Sequence, residues 1–190
     1  MAHKFKPQNW ERLLSASRRA LLTPDRFLAL LDIPPGSVVA DLGAGPGFFT
    51  VPLARCVGPS GRVHALDVSS EMVEHLNAQH LPPQVEVLLS GETTLPLETA
   101  SIDLALLAFV LHELDHPQAF LMEVRRIIKP SGRLVVLEWV PQVEELGPPI
   151  GERISADVSA RTLSDAGFVV GTTGIANASN YYHVASPALA

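Results

Sequence analysis

The chain has 190 residues, enough for one domain with a sizeable core, and 47% of them are hydrophobic. Fourteen basic against 20 acidic side chains leave a formal charge of −6. That balance argues against a nucleic-acid partner, because phosphate contacts need clustered Lys and Arg, and Lys4, Lys6 and Lys129 are the only lysines. Cys56 is the single cysteine, so no internal disulfide can form. No apolar run reaches the ~18 residues of a membrane span, and the N-terminus lacks the apolar core of a signal peptide, so a cytoplasmic location is expected.

In chain order, helical spacing comes first: Trp10, Leu13 and Leu14, then Ala20 to Leu22. Thr23-Pro24-Asp25 has the form of a helix start, with a capping hydroxyl, a proline at the first helical position and an acid in the first turn. That helix is expected to run to Leu31 and break at Pro34-Pro35-Gly36. Strands are expected at 37–42, 62–67, 85–89, 102–110 and 133–140, with helices at 48–57, 69–79 and 117–128 between them. Ser69 or Ser70 would cap the second of these helices. A helix at 155–166 and short strands at 168–170 and 181–185 close the chain. Apolar strands alternating with helices predict a mostly parallel sheet covered on both faces. One domain over 1–190 follows: a helical arm to 33, a core at 37–140 and a closing segment at 141–190. The Pro/Gly-rich stretch 141–151 is expected to be a loop at the edge of the sheet.

The informative segment is Asp41-Leu42-Gly43-Ala44-Gly45-Pro46-Gly47, which ends a buried strand and opens a helix. Glycines are needed where the backbone turns with positive φ or a ligand approaches it closely. A plain structural turn would use them too. Two details favour a ligand of a particular kind. The spacing is Gly-x-Gly-x-Gly, unlike the Gly-x-Gly-x-x-Gly that seats a pyrophosphate. Asp41 would repel a diphosphate but suits a nucleoside carrying an ammonium and a sulfonium. Asp67 ends the next strand, 22 residues after Gly45, where an acid can accept hydrogen bonds from ribose hydroxyls; its structural alternative is to cap the following helix.

Residues 40–47 with Asp67 resemble the signature of class I S-adenosylmethionine-dependent methyltransferases, and in particular the type-11 group that includes ubiquinone/menaquinone C-methyltransferases. The likeness continues through Gly91-Glu92-Thr93-Thr94-Leu95-Pro96, Ser101-Ile102-Asp103-Leu104 and Leu111-His112-Glu113-Leu114 to Lys129-Pro130-Ser131-Gly132. Glu92 stands where the family carries Asp, and Ser131 where it carries Gly. The resemblance implies a Rossmann-like three-layer α/β sandwich with a seven-stranded, mostly parallel sheet whose last strand is antiparallel. It implies S-adenosyl-L-methionine as cofactor, held by Asp41, Gly43, Ala44, Gly45, Gly47, Asp67, Val68, Gly91, Glu92, Thr93 and Phe109.

His112-Glu113-Leu114-Asp115-His116 also spells H-E-x-x-H, the zinc-protease motif. Pro117 disfavours helical dihedrals at His116, so no metal site is expected and His116 should precede or cap the next helix. His112 and Glu113 instead follow a strand's carboxyl end, where either could take a proton from a methyl acceptor; a histidine that merely lines the pocket fits equally well. Trp139 and the arm residues 3–5 are further acceptor-side candidates, Trp139 with sheet packing as its alternative, and Cys56 reads as core. No Gly-Lys-Ser/Thr or Tyr-x-x-x-Lys is present. The rival readings are a nicotinamide-dependent oxidoreductase and an S-adenosylmethionine-binding protein without turnover. A small-molecule acceptor is expected, and a homodimer is compatible with the chain.

Overall fold

The computed structural model describes residues 5, 7–142 and 146–188. A 3-10 segment at Pro7–Leu14 leads into α1 (Ala16–Leu22) and α2 (Pro24–Ala29). There follow β1 (Val38–Leu42), α3 (Thr50–Val57), β2 (Arg62–Asp67), α4 (Ser70–Asn77) and β3 (Val85–Leu89). After them come β4 (Ile102–Ala108), α5 (Pro117–Ile127), β5 (Ile128–Trp139), α6 (Ala156–Asp165), β6 (Phe168–Asn177) and β7 (Asn180–Pro187). The seven strands form one sheet in the order β3-β2-β1-β4-β5-β7-β6. β1–β2, β2–β3 and β4–β5 pair in parallel, whereas β7 runs antiparallel to both β5 and β6. This is the Rossmann-like α/β sheet expected from the sequence. Its elements fall into two compact units, Phe5–Gly91 and Glu92–Ala190.

In residues 5–91, the apolar strand β1 aligns Asp41 with Ala65 of β2, and β2 aligns Asp67 with Leu89 of β3. α3 buries Leu53, Ala54 and Val57, each large apolar side chain contributing about 1.5–3 kcal/mol. Ala44, Ala65 and Leu76 form a small core cluster that Leu81, Val85 and Val87 pack against. Ser69 is the residue that caps α4, its hydroxyl accepting the Met72 N–H at 3.4 Å. Two expectations fail here. Thr23 does stand before Pro24, but its φ of 38° puts it in the left-handed region and its hydroxyl makes no capping bond; α2 then stops at Ala29. Cys56 is half-buried rather than a core side chain, because the face of α3 that packs inward carries Leu53 and Val57.

In residues 92–190, β5 starts five residues before the expected 133, at Ile128. The turn-like Lys129-Pro130-Ser131-Gly132 is a bulge inside the strand: Ile102 pairs with Ile128, but Leu104 pairs with Arg133. Gly132 is required there, since a Cβ would lie 2.9 Å from the carbonyl oxygens of Ile102 and Asp103. β6 extends to Asn177, seven residues past the expected 170, because pairing with β7 completes a long hairpin that local pattern does not reveal. A buried polar network fastens α6 to it: His183 Nε2 lies 2.7 Å from Ser159 Oγ, and its Nδ1 lies 2.8 Å from Thr173 Oγ1. Burial lowers the His183 pKa.

Candidate active site

Chain geometry in residues 5–91 follows from where β1 and β2 end. Open parallel sheets bind ligands at the carboxyl ends of their strands, and Asp41 and Asp67 occupy those ends of β1 and β2. Between β1 and α3 the backbone turns through three glycines with positive φ: Gly43 (71°), Gly45 (53°) and Gly47 (90°). Gly47 has no room for a side chain either, as a Cβ would stand 2.8 Å from Leu76 Cδ2. The Gly45 N–H donates to Asp67 Oδ2 at 2.8 Å, and the Ser69 N–H donates to Asp67 Oδ1 at 2.9 Å. One carboxylate thus ties the glycine loop to the start of α4. Burial raises the Asp67 pKa, against the lowering effect of those N–H groups. Both the ribose role and the capping role weighed for Asp67 fit this geometry, since each carboxylate oxygen can accept more than one hydrogen bond. Val68, next in the chain, is 54% exposed.

Asp41 is 2% exposed, and the Thr50 hydroxyl donates to its Oδ2 at 2.6 Å. Burial pushes its carboxyl up to about 7, with the Asp67 charge adding to the rise and the Thr50 bond opposing it. A buried carboxylate with one hydroxyl donor is underpaired as an anion. A cation placed beside it would restore the charged form. The N-terminal 3-10 segment packs against the same loop, with Leu13 Cδ1 3.6 Å from the position of a Gly45 Cβ. Trp10 stacks on His75 with ring centroids 3.8 Å apart. The proposed arm residues His3 and Lys4 lie outside the described residues.

In residues 92–190, the His112-to-His116 stretch is not a helix. His112 lies in a 3-10 turn at Leu111–Glu113, and His116 (φ −129°, ψ 62°) is the N-cap of α5. Among the described residues, no group of three or more His, Cys, Asp or Glu is placed to hold a metal ion. Glu92 Oε1 accepts the N–H groups of Asp115 and His116 at 2.9 and 3.0 Å, so it pairs with backbone at the entry to α5. Thr93 is exposed. Phe109, with φ 63°, is 7% exposed and rests on the Trp139 ring at 5.0 Å between centroids. Trp139 is 1% exposed and lies under the Arg153 guanidinium at 5.3 Å, which favours its packing role.

A family profile described as a methyltransferase domain, type 11, matches residues 40–136. A crystal structure of a SAM-dependent methyltransferase from Aquifex aeolicus superposes with a TM-score of 0.91 at 34% identity, covering 96% of this chain and 98% of that one. The chain belongs to the type-11 methyltransferase family. It is also 31% identical over 153 residues to a ubiquinone/menaquinone biosynthesis C-methyltransferase of Burkholderia vietnamiensis, covering 73% of this chain and 63% of that protein. A demethylmenaquinone methyltransferase of Bacillus cytotoxicus is 33% identical over 115 residues, covering 58% of this chain and 48% of that protein. The chain therefore spans about half to just under two thirds of the length of those two curated relatives.

Sequence reasoning missed one residue of the candidate site. Glu138, 0% exposed near the end of β5, lies with both oxygens against His112: Nδ1 is 2.9 Å from Oε2 and 3.0 Å from Oε1. The His112 backbone N–H also donates to Oε1, and the Trp139 N–H to Oε2, each at 3.2 Å. The signal was available in Leu134-Val135-Val136-Leu137-Glu138-Trp139, where one acid interrupts an apolar run at a strand's carboxyl end. His112 Nε2 lies 3.8 Å from Glu113 Oε1. Burial alone would lower the His112 pKa. The Glu138 hydrogen bond, with the charges of Glu138, Glu113 and Glu152, outweighs it and holds the imidazole above its ordinary value.

Proposed function

We propose that the chain binds S-adenosyl-L-methionine and transfers its methyl group to a small-molecule acceptor. When bound, the cofactor supplies a methyl group already activated on a sulfonium. The observation that carries the reading is Asp41: a buried carboxyl beside a glycine loop, pushed up to about 7, is poorly suited to a phosphate and well suited to a cationic ligand. Gly43, Ala44, Gly45 and Gly47 bring the backbone close to the methionine end, and Asp67 accepts from the ribose hydroxyls. For Val68, Gly91, Glu92, Thr93 and Phe109 the cofactor assignment rests on the family resemblance. Because the donor needs no enzyme nucleophile, the protein's work is to hold reactants in line and exclude water. His112 and Glu113 are assigned to the acceptor side. The names of the relatives, menaquinone and ubiquinone methyltransferases, support a small acceptor.

The test is titration calorimetry with S-adenosylmethionine, beside a turnover screen that detects S-adenosylhomocysteine. Micromolar binding is expected, weakened about 10- to 100-fold in Asp67→Ala, or ~1.4–2.8 kcal/mol. Equal affinity in the two proteins would remove Asp67 from the site.

A further inference from the structure

We infer that Glu138 is a positioning residue that fixes His112 as a proton acceptor through Nε2. The inference rests on the methyltransferase reading for the identity of the proton, which would come from the acceptor.

Both Glu138 oxygens face N–H donors: the His112 and Trp139 backbone groups, and the imidazole between them. A carboxylate only accepts, so with Glu138 ionised it is Nδ1 that carries the hydrogen. In the neutral imidazole, that leaves the lone pair on Nε2. A base held this way by a buried acid is fixed in tautomer and in ring orientation, the arrangement by which a carboxylate tunes a catalytic histidine in acyl transfer. The acids whose charges act on the ring are Glu138 from β5, Glu113 from the 3-10 turn and Glu152 from the turn Ile150–Glu152. Their charges favour its protonated form. The acceptor's proton moves to Nε2, its electron pair stays on the acceptor atom, and the proton later leaves to solvent. The acceptor class that needs such a step carries its reactive atom in a protonated state.

Glu138 could instead serve the two backbone N–H groups alone. Two-bond nitrogen–proton spectra of the full chain with 15N-labelled histidine, titrated with acid and base, decide between these roles, His112→Gln assigning the signal. Expected are an Nδ1–H tautomer in the wild type and an imidazole pKa that falls by about one unit or more in Glu138→Gln, with a smaller fall in Glu113→Gln. An Nε2–H or evenly mixed tautomer in the wild type overturns the inference, and so does an unchanged pKa in a folded Glu138→Gln. If that variant does not fold by circular dichroism, the wild-type tautomer decides alone. Cofactor calorimetry on the same sample reports separately on the methyltransferase reading, because the histidine result needs no ligand.

Discussion

The two acid-centred sites differ in how the chain assembles them. Asp41, the glycines and Asp67 lie within one strand–loop–helix–strand passage, and the bond that closes it joins residues 22 apart. His112 and Glu138 come from separate elements 26 residues apart, with the whole of α5 between them. The first site is a local motif and can be read as a spelling. The second exists only because β4 and β5 pair in register, which puts Leu107 beside Val136 and Ala108 beside Leu137. The charge logic differs as well: Asp41 is a buried acid short of partners, whereas Glu138 is a buried acid supplied with several N–H donors.

That contrast can be broken most directly at Asp41. Its folded pKa, near 7, stands above the unfolded value of 3.8, so ionising it opposes folding. The stability it permits is complete below pH ~4 and is lost as pH rises through ~7. Asp41→Asn should therefore stabilise the ligand-free chain above neutral pH, by an amount on the order of 2–4 kcal/mol, and leave it unchanged at acid pH. Denaturant titrations at both pH values check this. Equal stability of the two proteins at alkaline pH would mean that Asp41 has a hidden partner, as Glu138 does.

A somewhat smaller effect is expected at Gly47. Ala at φ 90° with its Cβ 2.8 Å from the buried Leu76 combines left-handed strain with overpacking and should cost about 2–3 kcal/mol. A thermal melt of Gly47→Ala within a degree of wild type would show that the loop does not need its glycines.

The sheet and the glycine loop were legible because apolar period, glycine spacing and strand-end acids are local signals. β2 and β3 fall at the expected residues for that reason. What escaped was set by tertiary pairing. The 129–132 bulge reads as a turn until β4 is placed beside it, and Thr23 reads as a cap until its left-handed φ is seen. Glu92 Oε1 accepts the N–H groups of Asp115 and His116 at the start of α5, a link across more than 20 residues that local pattern does not show. Glu138 escaped because an apolar strand draws attention to its hydrophobic residues and away from the one acid among them.

On the proposed function, Asp41 and the glycine loop receive a cationic nucleoside. Calorimetry of S-adenosylmethionine binding near pH 7, repeated in buffers of different ionisation enthalpy, tests it most directly. A cation drawn to Asp41 lowers its pKa, so binding near pH 7 should release up to about half a proton and tighten as pH rises through ~7. Binding with no proton release and no pH dependence between about pH 6 and 8, or preferential binding of a dinucleotide, would mean that Asp41 does not receive the cation.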